Sequence, residues 1–362
     1  MYGEILLSEP LVVLQTDNVL ETCKGLLANK QVLLVTSNSF SKAGWPRTLQ
    51  EQTGIDICAV VDNIQPNPQR KDLESLHQRL KGESVECVLA LGGGSVLDSA
   101  KVLSRMLTEQ SLSENWLAPE CLWEGPPIPV IAIPTTAGTG SEVTPFATVW
   151  DSQEQKKYSL GQVRPTTAIF APSLTLSLNR EQTLYPALDA LSHALESLWN
   201  RHRSELSESR ALKAIALICD ALPKTLAQPH NIEARTALQQ AAMWAGLAIS
   251  ETKTAIAHAI SYPLTLSYAM PHGLACSFTL KAILAEQQAC FNVPTQYVDK
   301  IKALLDKLQL SVEVERFVSP SKLLAEFNTD LDPTRAANYA GDISHQALKR
   351  ILERSLYTSK RC

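Results

Sequence analysis

The chain has 362 residues, a formal net charge of −4, 45% hydrophobic residues and 19% charged residues. This length predicts two domains, and the composition is typical of a globular protein with a substantial core. Mild acidity argues against a general nucleic-acid binder, which carries a basic face. No apolar run approaches the roughly 18 residues of a membrane span, and the N-terminus lacks the basic stretch and small-residue cleavage site of a signal peptide.

The cysteines are scattered, and none forms a C-x-x-C pair. This spacing argues against zinc ribbons and redox dithiols. Several of them lie inside apolar runs, as reduced core cysteines do, so we expect a cytoplasmic protein. The cysteines are Cys23, Cys58, Cys87, Cys121, Cys219, Cys276, Cys290 and Cys362.

The first half of the chain alternates short apolar runs with helix-like segments. Such strands, apolar on both faces and separated by helices, predict a parallel sheet that is covered on both sides. The predicted strands are 31–36, 57–62, 85–94 and 128–136, and the predicted helices are 17–29, 69–81 and 96–107.

The second half is rich in Ala, Leu, Glu and Lys from about Glu181 onward. The segments RALKAIALICDALPKTLA, ARTALQQAAMWAGLAIS and SKLLAEFNTDL have helical spacing. We therefore predict an α/β domain over residues 1–178 and an all-α domain over residues 179–362. A cleft between two domains is a common place for a ligand.

The stretch LALGGGSVLDSAKVL reads as a buried strand, three glycines and a helix. Gly92, Gly93 and Gly94 permit close backbone approach and positive φ. Ser95 can cap the helix, whose N-terminus offers N–H donors to a phosphate. The stretch matches neither G-x-G-x-x-G nor a Walker A loop, so a pyrophosphate site and a simple tight turn are equally good interpretations.

A second polar loop, PTTAGTGSEVTPF, follows a strand that is predicted to end at Pro134. Small and hydroxyl residues beyond the carboxyl end of a strand suit ligand contact in an open α/β sheet. A polar surface loop is the alternative, but two such loops on successive strands favour a nucleotide. The loop contains Thr135, Thr136, Gly138, Thr139, Gly140 and Ser141.

Asp189 and His193 lie four residues apart in YPALDALSHALESLWN, on one face of a predicted helix. Spacing alone leaves three interpretations: a surface ion pair, a buried hydrogen bond, or half of a metal site. His258 and His272 lie further along, in an apolar segment. A lone histidine in such a segment is more often a core residue than a ligand. Together the four suit a divalent first-row metal, with Zn, Fe, Mn and Ni not separable by ligand type.

Two prolines shape our expectation for this segment. Pro263 and Pro271 are predicted to break helices, which leaves His272 just before a new helix that begins near Gly273.

Four motifs, in order along the chain, are GGGSVLDSAK, PTTAGTGSEVT, DALSHALES and HAISYPLTLSYAMPHG. With these motifs the chain resembles the iron-containing (group III) alcohol dehydrogenases of the dehydroquinate synthase-like superfamily. The resemblance covers nearly the whole chain and is weakest after about Phe291. It implies a Rossmann-like N-terminal domain that binds NAD or NADP, a helical C-terminal domain, and one divalent metal, iron in the first place and zinc as the alternative.

The resemblance also implies roles for individual residues. The metal ligands would be Asp189, His193, His258 and His272. The pyrophosphate and nicotinamide contacts would be Gly93, Gly94, Ser95 and Asp98, and the second cofactor loop would contribute Thr135, Thr136, Thr139 and Ser141. Lys157 matches a lysine near the cofactor ribose, and Leu176 matches a residue near the cofactor rings.

The chain departs from the family pattern at two positions. A second histidine often follows the third ligand by four residues as a proton relay, and here that residue is Tyr262. A phenol is a poorer shuttle because its intrinsic pKa is higher. Where many members have an acidic residue that binds the adenosine ribose, this chain has Ser37, so NAD and NADP both stay open.

The expected activity is that of a metal-dependent, NAD(P)-linked alcohol dehydrogenase or aldehyde reductase. The metal polarises the aldehyde as a Lewis acid, the dihydronicotinamide supplies hydride, and Tyr262 or a ribose hydroxyl relays the proton. His272 is counted with Tyr262 as catalytic. By analogy with the family we expect a homo-oligomer, a dimer in the first place, and no nucleic-acid or membrane partner.

The segments GTGSEVTPFATVWD and KKYSL resemble most the phosphonoacetaldehyde reductases, enzymes of phosphonate metabolism that form 2-hydroxyethylphosphonate. Such an anionic substrate needs a cation near the metal. Lys156, Arg164 and Lys253 are candidates, although solvated surface charges are the simpler interpretation. The alternatives are a general short-chain alcohol or glycerol dehydrogenase, a non-redox lyase of the superfamily, and a nucleotide-binding module without chemistry.

Overall fold

The computed structural model describes residues 3–5, 11–118, 121–123, 125–154, 156–287, 293–328 and 331–357. The chain divides into two compact units, Met1–Thr136 with Ser141–Thr175, and Ala137–Gly140 with Leu176–Cys362. The domain boundary that we predict after residue 178 stays a prediction. Among the described residues, no helix is both long and apolar enough to cross a membrane.

The first unit is built around a twisted sheet flanked by helices. Its strands are β1 Gly3–Ile5, β2 Val12–Gln15, β3 Gln31–Thr36, β4 Asp56–Val61, β5 Cys87–Gly92, β6 Val130–Pro134, β7 Ala147–Asp151, β8 Lys156–Leu160 and β9 Thr167–Phe170. Its helices are α1 Val19–Leu27, α2 Asn38–Lys42, α3 Trp45–Thr53, α4 Arg70–Leu80 and α5 Gly94–Met106, with a 3₁₀ turn at Pro172–Thr175.

Seven of the described strands form one sheet in the order β1-β2-β9-β6-β5-β3-β4. Neighbours are parallel except β1 and β2, and β7 and β8 form a separate antiparallel pair. Along β3, Val32 and Leu34 pack into one apolar cluster while Leu33 and Val35 pack into another. Both faces of the sheet are therefore covered, which confirms the α/β prediction.

The second unit is helical. It contains α6 Arg180–Leu198, α7 Glu205–Ala227, α8 Ile232–Thr252, α9 Ile256–Tyr268, α10 His272–Ala275, α11 Leu280–Gln287, α12 Thr295–Leu308, α13 Leu310–Glu315, α14 Pro320–Glu326, α15 Pro333–Ala336 and α16 His345–Leu356. These helices enclose one large apolar cluster to which α6, α7 and α8 all contribute. The predicted all-α second half is confirmed.

One helix boundary was predicted wrongly. Pro263 lies inside α9, which continues to Tyr268. Proline removes one backbone hydrogen bond, but Ile256, Ile260 and Leu264 are buried along the same helix. Burial of these side chains outweighs the missing bond. The next helix, α10, begins at His272 with Pro271 as its N-cap, one residue earlier than predicted.

The described cysteines Cys23, Cys58, Cys87, Cys121, Cys219 and Cys276 are free thiols. Their reduced state in the cell stays a prediction, and Cys290 and Cys362 lie outside the described residues.

Candidate metal centre and glycine-rich turns

Helix α6 carries three polar side chains on one buried face. The helix begins with a capping box, in which Asn179 accepts from the backbone N–H of Gln182 at 2.8 Å. Asp189, His193 and Glu196 follow at helical spacing, and all three are buried. A buried polar group needs a partner. We therefore expect other helices to supply hydrogen bonds to these side chains, or a bound ion to lie between them.

Three imidazoles converge on one carboxylate oxygen. Asp189 Oδ1 lies 3.5 Å from Nε2 of His193, 3.4 Å from Nε2 of His258 and 3.8 Å from Nε2 of His272. The rings of His193 and His258 are stacked with centroids 4.8 Å apart, and His272 meets His258 edge-on at 5.2 Å. The structure therefore brings together the four residues that the sequence predicts as metal ligands.

The spacing of these atoms fits ligands around one ion better than hydrogen bonds. A good N–H···O bond is about 2.7–3.2 Å long, so 3.4–3.8 Å is too long for three such bonds to Asp189. Ligand bonds of roughly 2.0–2.2 Å in a tetrahedral site put neighbouring ligand atoms about 3.4 Å apart. In addition, Nε2 of His258 is buried without a hydrogen-bond partner. One carboxylate and three imidazoles are also a donor set that suits zinc or iron(II).

Electrostatics within the cluster favour the ionised carboxylate. Burial alone would raise the pKa of Asp189, but the neighbouring histidines, His193 foremost, more than offset this and hold that pKa well below its usual value. For His258, burial lowers the pKa, and the charge of Glu196 more than restores it. Asp189 is therefore a carboxylate, the form of the side chain that can bind a cation.

Glu196 is a site residue that our sequence prediction missed. Its Oε2 lies 2.6 Å from His258 Nδ1, and its Oε1 accepts from the backbone N–H groups of Ala257 at 2.6 Å and His258 at 3.1 Å. A carboxylate on Nδ1 fixes the tautomer and directs Nε2 toward a metal. The signal was available, because Glu196 lies seven residues after Asp189 on the same helix face.

Cys276 is a second site residue that the sequence prediction missed. Its Sγ donates to Asp189 Oδ1 at 3.5 Å and to the Gly273 carbonyl at 3.5 Å. Ligand atoms of Asp189, His258, His272 and Cys276 all lie within 4.8 Å of one another. Burial raises the pKa of the Cys276 thiol well above its ordinary value, so the protein itself favours a neutral thiol that helps to orient Asp189.

Close contact between α10 and α6 delivers His272 to the cluster. A Cβ on Gly273 would lie 1.9 Å from the carbonyl oxygen of Tyr185, so only glycine fits there. Ser192 donates to the Cys276 carbonyl at 3.1 Å, and Ser277 donates to the carbonyl of Leu188 at 2.9 Å. These contacts fix the short helix α10 against α6.

Tyr262, the predicted proton relay, lies beside the cluster. Its ring is nearly parallel to that of His272, with centroids 6.4 Å apart. The side chain is buried, and burial raises the pKa of the Tyr262 phenol well above its ordinary value. This shift makes proton transfer harder, and the relay stays a prediction.

The first glycine-rich turn joins β5 to α5. A Cβ on Gly92 would lie 2.6 Å from that of Val96, and a Cβ on Gly93 would lie 3.3 Å from the side chain of Thr136. Close approach therefore explains these glycines. The positive φ that these glycines would permit is not adopted here, since Gly44, Gly54, Gly82 and Gly140 are the glycines with positive φ in the described chain.

The predicted capping role of Ser95 is also wrong. The N-cap of α5 is Gly93, which has no side chain to form a cap, and Ser95 lies inside the helix. Its Oγ accepts from the backbone N–H of Asn67 at 3.3 Å. The backbone N–H groups of Val96 and Leu97 donate to the Gly93 carbonyl at 2.9 and 3.1 Å. The N–H groups at the very start of a helix have no partner within the helix and can serve a ligand.

Asp98 is held by Ser141 of the second loop and by Thr148, which follows that loop. Its carboxylate accepts from Ser141 Oγ at 2.5 Å and from the backbone N–H of Thr148 at 2.8 Å. The fully buried Lys101 lies 4.0 Å from Asp98 Oδ1. The carbonyl oxygens that accept from Lys101 Nζ are those of Ser141, Thr144 and Phe146.

Two groups in this buried cluster have shifted pKa values. Burial lowers the pKa of Lys101 to about 8 and raises the pKa of Glu142 to about 7. Attraction between opposite charges opposes both shifts but does not cancel them.

The second loop begins at the carboxyl end of β6. The backbone N–H of Thr135 donates to the Gly92 carbonyl at 3.0 Å, which joins the two turns. Further on, Gly140 has a φ of +63°, and a Cβ there would lie 2.6 Å from the Cα of Gly246 in α8. Thr139, half-buried, precedes it. The predicted cofactor residues Gly93 and Thr136 are therefore neighbours in the first unit.

The remaining predicted cofactor residues lie in separate elements. Ser37 follows β3 and caps α2, accepting from the backbone N–H of Phe40 at 3.4 Å. Lys157 lies in β8 with its Nζ 5.1 Å from the ring centroid of Trp150. Leu176 follows the 3₁₀ turn and is half-buried. Their contacts with a cofactor stay a prediction.

Comparison with known proteins decides the family. Residues 10–172 match the family described as iron-containing alcohol dehydrogenase, and residues 183–341 match the C-terminal domain of the Fe-containing alcohol dehydrogenase family. The chain belongs to the iron-containing alcohol dehydrogenase family. It is therefore an oxidoreductase, as the sequence motifs predict.

Relatives within the iron-containing alcohol dehydrogenases include enzymes with named substrates. The chain is 31% identical to phosphonoacetaldehyde reductase of Streptomyces viridochromogenes, over 91% of this chain and 88% of that protein. It is 29% identical to NAD-dependent methanol dehydrogenase of Bacillus methanolicus, over 86% and 77% of the two chains.

A solved structure supports the fold. The crystal structure of sulfoacetaldehyde reductase from Bifidobacterium kashiwanohense in complex with NAD⁺ superimposes with a TM-score of 0.85. It covers 97% of this chain and 98% of that one, at 24% sequence identity. The likeness confirms the predicted architecture of an α/β part followed by a helical part.

Proposed function

We propose that the protein is a metal-dependent, NAD(P)-linked aldehyde reductase whose substrate is a small anionic aldehyde, phosphonoacetaldehyde in the first place. The product would be 2-hydroxyethylphosphonate. The observation that carries the proposal is the convergence of three imidazole Nε2 atoms on Asp189 Oδ1 at 3.4–3.8 Å. The substrate assignment is supported by the 31% identity to a phosphonoacetaldehyde reductase over most of both chains.

Asp189, His193, His258 and His272 would hold a divalent metal, iron(II) before zinc. Such a metal supplies Lewis-acid polarisation of the aldehyde oxygen, while the hydride comes from the dihydronicotinamide. Glu196 keeps His258 in the tautomer that presents Nε2. The burial of Asp189, whose side chain is 5% exposed, keeps bulk water away from the charged ligands.

His272 and Tyr262 form the wall of the site that faces the reactants in this proposal. The His272 side chain is 26% exposed, against 7% for His193 and 3% for His258. A reactant therefore approaches from the side of His272. The raised pKa of Tyr262 favours a role in shaping this wall, with the product alkoxide protonated through water or a cofactor hydroxyl.

The cofactor would bind at the glycine-rich turns. Backbone N–H groups at the start of α5 suit the pyrophosphate, with Gly93, Gly94 and Ser95 in that turn and Asp98 beside it. Ser37 offers a hydroxyl at the end of β3, where a carboxylate would repel a 2′-phosphate. Both NAD and NADP are therefore proposed as acceptable. The further contacts would come from Thr135, Thr136, Thr139, Ser141, Lys157 and Leu176.

The proposal includes a cytoplasmic location and a homo-oligomer, a dimer by analogy with the family. Analytical ultracentrifugation of the holoenzyme measures the second point directly, and a monomer at micromolar concentration would contradict it.

An anaerobic aldehyde screen tests the activity. The purified protein is loaded with iron(II) or zinc and assayed with NADH and with NADPH against phosphonoacetaldehyde, butyraldehyde and glyceraldehyde. We expect phosphonoacetaldehyde to give the highest kcat/KM. Equal or better turnover of butyraldehyde would favour a general short-chain alcohol dehydrogenase instead, and activity with glycerol in the oxidative direction would favour a glycerol dehydrogenase.

The His272→Ala variant serves as the matched control for the metal. It removes one ligand and leaves the glycine-rich turns intact, so metal content and aldehyde reduction should both fall while cofactor binding, followed by fluorescence of the reduced nicotinamide, persists. Full metal content with full turnover in this variant would refute the assignment of the site.

A further inference from the structure

One cation lies next to the open side of the histidine cluster. The Arg335 guanidinium, in α15, lies over the ring of Tyr262 at 4.9 Å from its centroid. His272, the most exposed of the three histidines, also lies beside that ring. The Tyr262 ring thus contacts both His272 and the Arg335 guanidinium.

The guanidinium is anchored but retains free donor capacity. Nη1 donates to Thr254 Oγ1, and Nε lies 3.8 Å from Asp332 Oδ2, too far for a hydrogen bond. Asp332 uses its other oxygen to accept from the backbone N–H of Thr334 at 2.9 Å. Nη2 of Arg335 has no hydrogen-bond partner in the described part of the chain. The side chain is 19% exposed, so a solute can reach these donors.

The loop that anchors Arg335 also leads into the metal site. Thr254 lies between α8 and α9, three residues before Glu196's partner Ala257. Its carbonyl accepts from Asn338 at 2.8 Å. Arg335 is therefore fixed to the backbone segment that carries His258, and its distance from the cluster is set by rigid elements.

We propose that Arg335 is the substrate-binding residue that recognises the anionic group of the aldehyde. The inference rests on the proposed function, and it names the group that distinguishes an anionic aldehyde from a neutral one. A guanidinium presents a planar fork of donors that pairs with two oxygens of a phosphonate, a sulfonate or a carboxylate. Its position over an aromatic ring keeps the fork oriented and partly desolvated, which strengthens the pairing.

The cations that the sequence suggested are placed less well for this role. Lys156 pairs with Glu154 at 3.3 Å, and Arg164 donates to the Val143 carbonyl at 2.8 Å. Lys253 is exposed at the end of α8. Arg335 is the cation with a described ring contact to Tyr262, and no pattern in the sequence distinguished it because it belongs to a helix of four residues far along the chain.

The test compares an anionic and a neutral aldehyde in the holoenzyme. Arg335→Met removes the charge and keeps an apolar side chain over Tyr262. We expect the ratio of kcat/KM for phosphonoacetaldehyde to that for butyraldehyde to fall about tenfold to a hundredfold, mainly through a higher KM. Arg335→Lys keeps the charge but not the fork, so we expect an intermediate loss.

Binding of phosphonoacetate, which cannot be reduced, separates this inference from the proposed activity. Calorimetric titration of the holoenzyme should show binding that Arg335→Met weakens by a similar factor. If the wild type binds phosphonoacetate through Arg335 but reduces no aldehyde, the proposed function fails and the anion site stands. If both variants bind phosphonoacetate like the wild type, the inference is overturned whatever the activity.

A matched control is Lys322→Met, because Lys322 lies over the ring of Tyr268 at 5.8 Å in the same unit. It should leave the substrate ratio unchanged. Metal content and the thermal midpoint are measured for every variant. An equal loss of both aldehydes in Arg335→Met, with lost metal or a lower midpoint, would assign Arg335 a structural role through Thr254 and overturn the proposal.

Discussion

Each unit of the molecule contains one buried cluster of charged side chains, and the two clusters differ in how their hydrogen bonds are completed. In the first unit, Lys101 donates to three backbone carbonyls, and Asp98 accepts at 2.5 and 2.8 Å. In the helical unit, the contacts of Asp189 with the three imidazoles are 3.4–3.8 Å long. The first cluster is complete within the protein, and the second is not.

This difference separates a cluster that the protein's own hydrogen bonds satisfy from one whose atom spacing suits a bound ion. Burying a charge is costly unless the protein supplies short, well-directed partners. Lys101 has them, and its hydrogen bonds join the segment 141–146 to α5. Asp189 is surrounded by nitrogens at the spacing of ligands that share a cation. Its carboxylate loses its hydrating water on folding, and only a bound ion would fully compensate that loss.

The largest effect is expected from Asp189→Asn, which removes the charge of the incomplete cluster. Metal content should fall from about one equivalent to near zero, and aldehyde reduction should fall about a thousandfold or more, since Lewis-acid stabilisation contributes several kcal/mol. Elemental analysis after anaerobic purification and steady-state kinetics measure both. The control is the surface variant Asp220→Asn, which loses an exposed pair with Lys300. A full metal complement in Asp189→Asn would contradict the distinction that we draw between the two clusters.

Lys101→Met should act on folding rather than on metal binding. It leaves the carbonyls of Ser141, Thr144 and Phe146 without their donor and Asp98 without its neighbouring cation, which should lower the free energy of unfolding by about 3–5 kcal/mol. Denaturant titration gives the value, with Lys71→Met on the exposed face of α4 as the control. Metal content per folded chain should not change. Loss of the metal with unchanged stability would reverse the assignment of the two clusters.

Glu196→Gln tests whether the hydrogen bond between Glu196 and His258 Nδ1 orients His258 as a ligand. The amide keeps a hydrogen-bonding oxygen but removes the charge opposite His258 Nδ1. Metal affinity should fall about tenfold to a hundredfold, measured by competition with a chelator. The exposed Glu233→Gln should have no effect. An unchanged affinity in Glu196→Gln would show that Glu196 only supports α9.

The smallest expected effect is on the pH dependence of the free energy of unfolding, through Glu142 beside Lys101. The pKa of Glu142 is about 7 in the folded chain against an ordinary 4.5, so the folded state keeps a proton that the unfolded state has lost. Stability therefore falls as the pH rises from 5 to 7, by about 2 kcal/mol from this group. Glu142→Gln should remove that part of the slope in urea titrations of the apoprotein.

Glu313→Gln is the control, because the pKa of Glu313 is shifted in the opposite direction from that of Glu142. Burial raises the pKa of Glu313, but Arg316 and Arg180 outweigh it and lower that pKa below its ordinary value. Its contribution to stability is present above the unfolded pKa and is lost only as the pH falls below it. The slope between pH 5 and 7 should therefore be the same in Glu313→Gln and the wild type. A wild-type slope retained in Glu142→Gln would refute the role of Glu142.

Much of the fold could be predicted because it depends on local patterns. The strand at 31–36 is found at the predicted residues, and the helical half follows from spacing alone. The four predicted metal ligands came from spacing together with the family motifs, and the structure brings them together. Local pattern does not include tertiary packing, and this is why Pro263 was predicted to end a helix that continues.

The residues that were missed depend on contacts between distant segments. Glu196 is an ordinary helix glutamate until α9 places His258 against it. Cys276 reads as one more buried thiol until α10 packs on α6. Arg335 lies more than seventy positions after Tyr262 in sequence, and only the fold joins them. Ser95 was predicted wrongly for the same reason. Its hydroxyl could cap a helix, but α5 begins before it, so Ser95 lies inside the helix.

The contact of Gly273 with the Tyr185 carbonyl has a consequence for how such a site can change. With no room for even one methyl group, the position of the fourth ligand is coupled to the backbone of α6, the helix that bears Asp189 and His193. A substitution at Gly273 would separate two ligands from a third without touching any of them. The arrangement of the four predicted ligands is thus set by a main-chain contact, whereas Arg335, the proposed anion-binding residue, lies outside that contact.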